Sequence, residues 1–167
     1  MQIDSAPVDV AALFDRLIEE ALPDRRGERA WRALLQAHAT LMRQLDTDLK
    51  EDTGLRLADF DVLAQLAAAD GELRMTDLAA RTLISRSGLT RRVARLVNEG
   101  LLRRANATDD GRGVVVALTG AGVARVTETV PVHLRGVATL FVERLDDQEL
   151  AVVETALRKV IVDCTFG

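Results

Sequence analysis

The stretch Ser85-Arg86-Ser87-Gly88-Leu89-Thr90-Arg91-Arg92-Val93-Ala94-Arg95-Leu96-Val97-Asn98-Glu99-Gly100 decides how this chain is read. At 100° per residue, Leu89, Val93, Leu96 and Val97 fall on one face of a helix spanning about 87 to 99. Gly100 closes that helix at a C′ position. Ser87, Arg91, Ala94, Arg95 and Asn98 fall on the opposite face, with Thr90 on its flank. Small residues beside long donors make a helix slim enough to enter a major groove. Arginine there can fork onto guanine, and serine or threonine can reach phosphate or base.

Upstream, Thr76 is the expected N-cap of a short helix through Asp77, Leu78, Ala79, Ala80 and Arg81, and a break follows at Leu83-Ile84-Ser85. Downstream the period changes. Leu101 to Asn106 and Gly113 to Leu118 read as two short strands, the second opening on three β-branched valines. The linker Ala107-Thr108-Asp109-Asp110-Gly111-Arg112 has Asp-Gly turn chemistry, so the pair reads as a hairpin. From Arg74 to Leu118 the order is strand, short helix, turn, second helix, hairpin, which is a winged helix-turn-helix.

Charge sharpens this reading. Between residues 81 and 104 stand seven arginines (81, 86, 91, 92, 95, 103 and 104) against one acid, Glu99. That segment carries +6 inside a chain of net −4, so the remainder carries −10. A globally basic coat is excluded, and a local footprint for phosphate remains. At the hairpin tip, Asp110 stands two residues before Arg112 and is placed to brace its guanidinium toward a narrow minor groove. An ordinary polar hairpin turn is the competing reading of that tripeptide.

The flanks are helical. Val10, Leu13, Phe14, Leu17 and Ile18 recur at helical spacing before Pro23 and Gly27. A longer helix from about 28 to 50 carries the stripe Trp31, Leu34, Leu35, His38, Leu41, Met42, Leu45 and Leu49. Residues 58 to 69 repeat the pattern until Asp70-Gly71. Thr119 is the expected cap of a helix reaching about 144, with a kink expected at Pro131. Asp146 and Glu149 fit a capping box opening the last helix.

The 167 residues, 48% hydrophobic, suit one integrated core. The longest uncharged run, Gly113 to Ala124, has 12 residues, short of the ~18 that suggest a membrane span. With one cysteine, no intramolecular disulfide forms, and no basic stretch leads an apolar run at the N-terminus. These features fit a cytoplasmic protein.

The runs Met75 to Ala80, Ser85 to Leu102 and Asp110 to Thr119 resemble, in order and spacing, the MarR family of bacterial transcription regulators. The resemblance covers about residues 28 to 163. It implies a mainly α fold: a winged helix-turn-helix with a small β-hairpin wing and a helical dimerisation region. On that frame residues 1–27 are an N-terminal extension with an extra helix, 28–56 and 120–167 the dimerisation region, and 57–119 the DNA-binding region. The family implies a homodimer that reads a pseudo-palindromic double-stranded operator. Binding usually represses transcription and is commonly released by a small lipophilic or phenolic effector. Carried over by position, Ser85, Arg86, Ser87, Thr90, Arg91 and Arg95 belong to the recognition helix and its entry, and Asp110 and Arg112 to the wing. Arg103 is a further candidate phosphate contact. One departure stands at the wing tip: many members have arginine where this chain has Gly111.

Candidates for an effector cleft are Trp31, His38, Met42, Phe60 and His133. Helical spacing favours core packing for Trp31, Met42 and Phe60, and an apolar or interface setting for His38. Cys164 lacks nearby cations and reads as structural or incidental. Two histidines 95 positions apart and one cysteine make no metal cluster, and no cofactor motif is present. The serines sit in no nucleophile elbow and the histidines have no visible partners, which argues against an enzyme. A winged-helix module docking an acidic protein is the alternative to DNA. Single strands are disfavoured because the basic segment has no aromatic platform.

Overall fold

A computed structural model describes residues 9–82, 84–106 and 113–165, with side chains as far as Ile161. The chain divides into two compact units, residues 1–40 and 41–167.

In the first unit, helix α1 spans Val10–Ala21. Asp9 caps it, its carboxylate accepting the Ala11 and Ala12 N–H groups at 3.1 Å each. None of its residues is buried. A 3₁₀ turn, Pro23–Arg25, follows, with Asp24 and Arg25 at positive φ. Arg25 reaches back to Asp15 and Glu19 and forward to Glu28. Helix α2, Glu28–Thr53, starts here and finishes in the second unit.

The second unit holds the core. The end of α2 buries Leu45 and Leu49, and Gly54, at φ +72°, terminates it. Asp46 anchors the next helix, accepting the Leu57 N–H at 2.9 Å and pairing with Arg56 at 2.8 Å. Helix α3, Leu57–Ala67, buries Phe60, Val62, Leu63 and Leu66. Asp70-Gly71 turns the chain into strand β1, Glu72–Arg74. Helix α4, Met75–Arg81, follows at once. Its cap position is Arg74, so Thr76 lies inside the helix, its hydroxyl on the Asp77 carboxylate. The expected Thr76 cap is thereby corrected: β1 holds Arg74 in extended geometry until the helix begins.

Helix α5, Arg86–Asn98, is followed by strands β2, Leu102–Asn106, and β3, Val114–Leu118. The sheet order is β1-β3-β2, antiparallel throughout. The wing is therefore a three-stranded sheet whose third strand is the short β1. Leu89, Val93 and Leu96 of α5 join Leu63, Leu66, Leu78 and Val116 in one fully buried cluster. Burial of each leucine or valine contributes about 1.5–3 kcal/mol, which seats α5 on the core by one face only.

Helix α6, Gly120–Leu140, runs through Pro131. It stops short of the expected 144, because Val142–Arg144 tighten into a 3₁₀ turn. Its start is fastened to the end of the α5 turn. The Thr119 hydroxyl donates to the Gly100 carbonyl at 2.7 Å and accepts the Gly122 N–H at 3.0 Å. The Thr119 N–H donates to the Leu101 carbonyl at 3.0 Å. Gly122 is required there, since a Cβ would lie 2.1 Å from that carbonyl oxygen. Helix α7, Asp147–Thr165, opens with the reciprocal capping box: Asp146 N–H to Glu149 at 2.9 Å and Glu149 N–H to Asp146 at 2.8 Å.

Candidate nucleic-acid interface

Helix α5 starts at Ser85, whose hydroxyl oxygen accepts the Gly88 N–H at 3.2 Å. The same hydroxyl lies 3.5 Å from the Ser87 hydroxyl, so the two serines share the helix entry. Burial divides the helix as its spacing demands. Leu89, Val93 and Leu96 are buried, and Arg86, Ser87, Thr90, Arg91, Arg95 and Asn98 are exposed. Thr90 spends its hydroxyl on the Arg86 carbonyl at 3.0 Å. The Thr90 carbonyl in turn receives Arg104 from β2 at 3.3 Å.

The arginines are not equivalent. Arg86 and Arg91 meet no acid among the described residues. Arg92 and Arg95 converge on one carboxylate, Asp59 of α3, which is 3% exposed. Arg92 Nη1 donates to Asp59 Oδ1 at 2.8 Å, and Arg95 Nη2 pairs with the same oxygen. Arg95 Nε also lies 3.7 Å from Glu99. Gly88, Arg91, Arg92 and Arg95 line a cleft of about 310 Å³.

On the sheet, Glu72 and Arg103 flank Ala117 in register from β1 and β2, and their charges stand 3.9 Å apart. The basic segment is therefore less bare of acids than its own sequence suggests: Asp59 and Glu72 reach in from outside it. Asp110 and Arg112 of the wing tip lie outside the described residues.

Comparison with known proteins decides what this geometry belongs to. The MarR family model matches residues 53–113, from the end of α2 to the start of β3. A DNA-bound crystal structure of the MarR family regulator Sco3205 from Streptomyces coelicolor is 32% identical and superposes with a TM-score of 0.75. The match covers 80% of this chain and 84% of that one. AbsC, a MarR family regulator from the same organism, is 30% identical with a TM-score of 0.77, over 84% of this chain and 95% of that one. The transcriptional repressor YetL of Bacillus subtilis is 30% identical over 97 residues, 58% of each chain. This chain belongs to the MarR family.

As a MarR-family chain it also carries the residues singled out for an effector cleft. Phe60 is buried and meets the half-buried His133 of α6, ring centroids 4.8 Å apart at 43°. His133 Nδ1 is buried and has no hydrogen-bond partner among the described residues. Burial pushes the His133 pKa down, and the Asp61 charge opposes that shift. Met42, in the same unit, is 36% exposed on α2. Trp31 and His38 belong to the 1–40 unit, Trp31 at 58% exposure and His38 also exposed. Core packing was expected for Trp31 and Met42, and only Phe60 has it. The α2 stripe continues beyond what this chain covers, so periodicity alone overstated its burial. The side chain of Cys164 lies outside the described residues.

Asp59 escaped the sequence reading of this MarR-family chain, and with it the pairing that ties down Arg92. A signal existed. Asp59 is four residues before Leu63 on the apolar face of α3, and an acid on a buried stripe calls for a cationic partner. Among the described residues no group of histidine, cysteine or acid is placed to hold a metal ion, and no helix is long and apolar enough to cross a membrane.

Proposed function

We propose that this chain is a dimeric transcriptional repressor that reads a pseudo-palindromic double-stranded DNA operator and is released by a small lipophilic or phenolic effector. The observation that carries the DNA reading is the single-sided seating of α5. Leu89, Val93 and Leu96 of its apolar face are fully buried and Val97 partly so, while Ser87, Thr90 and Arg91 stay exposed, with Arg91 unpaired among the described residues. In the major groove Arg91 forks onto guanine, and Ser85, Arg86 and Ser87 hold phosphate at the helix entry. Arg95 lies further along the same face, Arg103 meets the backbone from the sheet, and Asp110 and Arg112 enter the minor groove. Two copies place their helices about one duplex turn apart, roughly 10 base pairs centre to centre.

In this reading residues 57–119 bind DNA, and 28–56 with 120–167 form the dimer. Residues 1–27 add a helix to that interface. The exposed apolar side chains of α1 and of the α2 stripe support this assignment. The effector site is built around Phe60 and His133, where the unpartnered Nδ1 accepts a hydroxyl while the phenyl ring covers an apolar body. Trp31, His38 and Met42 are the further candidates for effector contact. The protein acts in the cytoplasm, without a metal or cofactor and without catalysis.

The test is a gel shift with duplex fragments flanking the coding region, titrated with salt. The reading expects a salt-sensitive shift that is lost in the Arg91→Ala, Arg112→Ala double variant. Binding no tighter than to random duplex, there and in selection from a random library, would leave a protein-docking module as the better account.

A further inference from the structure

We infer that Asp59 is a positioning residue that sets how sharply the recognition helix discriminates between DNA sequences. This inference rests on the DNA-binding reading above.

Three guanidiniums line the cleft on α5, and a single carboxylate oxygen beneath it accepts from Arg92 and pairs with Arg95. Asp59 is 3% exposed, whereas its partners Arg92 and Arg95 keep 32% and 48% of their side chains exposed. The arrangement is asymmetric in energy. A carboxylate that far from water must stay paired, because an uncompensated buried charge is strongly destabilising. Arg92 and Arg95 therefore cannot both swing out to meet phosphate.

Two effects on DNA follow. First, Asp59 cancels one of the positive charges that α5 turns toward the duplex. Non-specific affinity scales with the number of phosphates neutralised, so it falls. Second, the pairing fixes where the remaining Arg95 donors point. Fixed donors lose less rotamer entropy on binding and tolerate less misalignment, which favours one base edge over another. Both effects widen the gap between the preferred sequence and all others. Among the described residues Arg91 is the free cation of the cleft, and Arg92 and Arg95 are its tethered neighbours.

The test uses the full-length protein and two duplex probes of equal length. One is the sequence that the wild type enriches from a random library, and the other is poly(dI-dC). Asp59→Asn keeps the shape and an acceptor oxygen and removes the charge. The variant is expected to bind poly(dI-dC) more tightly, with the slope of log affinity against log salt steeper by about 0.9, the value for one more phosphate neutralised. Its preference for the enriched duplex is expected to fall roughly tenfold, a change of about 1.4 kcal/mol. An unchanged preference and an unchanged slope in folded Asp59→Asn overturn the inference.

A second pair of variants keeps the question open to an answer if Asp59→Asn does not fold. Arg95→Gln is expected to flatten the salt slope clearly less than Arg91→Gln, because Arg95 is already half neutralised. Equal flattening overturns the inference. A wild type that enriches no sequence and binds duplex without salt dependence sinks the DNA reading itself, an outcome distinct from either of these.

Discussion

The His133 ring packs on Phe60 with centroids 4.8 Å apart, joining the middle of α6 to the first helix of the winged region. Burial lowers the His133 pKa below its ordinary 6.5, against the pull of Asp61. The unfolded chain then takes up the proton first as pH falls. Stability from a neutral His133 is complete above about 6.5 and is lost below it, until the folded imidazole protonates as well. Thermal midpoints measured from pH 8 to 5 are expected to drop below pH 6.5 in the wild type, and His133→Gln is expected to flatten that drop. An identical drop in both proteins would show that another group is responsible.

Gly122 packs directly against the backbone of the α5–β2 turn. Gly122→Ala places a Cβ 2.1 Å from the Leu101 carbonyl oxygen and 3.1 Å from a Leu118 methyl. Relief requires moving backbone, so a loss of about 1–3 kcal/mol or more is expected in urea unfolding. Gly120→Ala is the control: a Cβ there meets nothing within 4 Å, and a change within about 0.5 kcal/mol is expected.

Arg91 and Arg103 differ in what they are expected to read. Arg91→Ala should cost about 1–3 kcal/mol on the enriched duplex and relax preference at one base position per half-site. Arg103→Ala, on the sheet beside Glu72, should weaken every sequence alike and reduce the salt slope by about one. Matched losses across a panel of single-base duplex variants would erase that distinction.

Helix α1 leaves Val10, Phe14 and Leu17 each at least half exposed in the single chain. Deleting residues 1–24 is expected to weaken self-association at least roughly tenfold, or about 1.4 kcal/mol, in sedimentation equilibrium. An intact dimer after the deletion removes α1 from the interface.

What the sequence made legible was local. The Thr119 cap, the Asp146–Glu149 box, the Gly100 stop and the division of α5 into two faces all rest on residues close to one another in the chain, and each is present. The features that escaped it are set by distant partners. Asp59 meets Arg92 across 33 positions, a pairing that no window on α5 contains. A strand at Arg74 was legible, but its pairing with β3, which makes the wing three-stranded, lies more than forty positions away and was not. Trp31 and Met42 sit on a clean apolar stripe yet are exposed, because periodicity reports which side a residue is on and not whether anything covers it.

The fastening of Thr119 and Gly122 to the Gly100-Leu101 carbonyls has a mechanical meaning. It leaves no slack where α6 joins the end of the recognition helix and its turn. A helix of 21 residues is a rod roughly 30 Å long at 1.5 Å per residue. Clamped at one end, it works as a lever: a sideways push near its far end becomes a tilt at the clamp, and the tilt is handed to α5. In the proposed dimer, such a joint is expected to make the spacing of two recognition helices answer to whatever is wedged beside the middle of α6, where His133 meets Phe60.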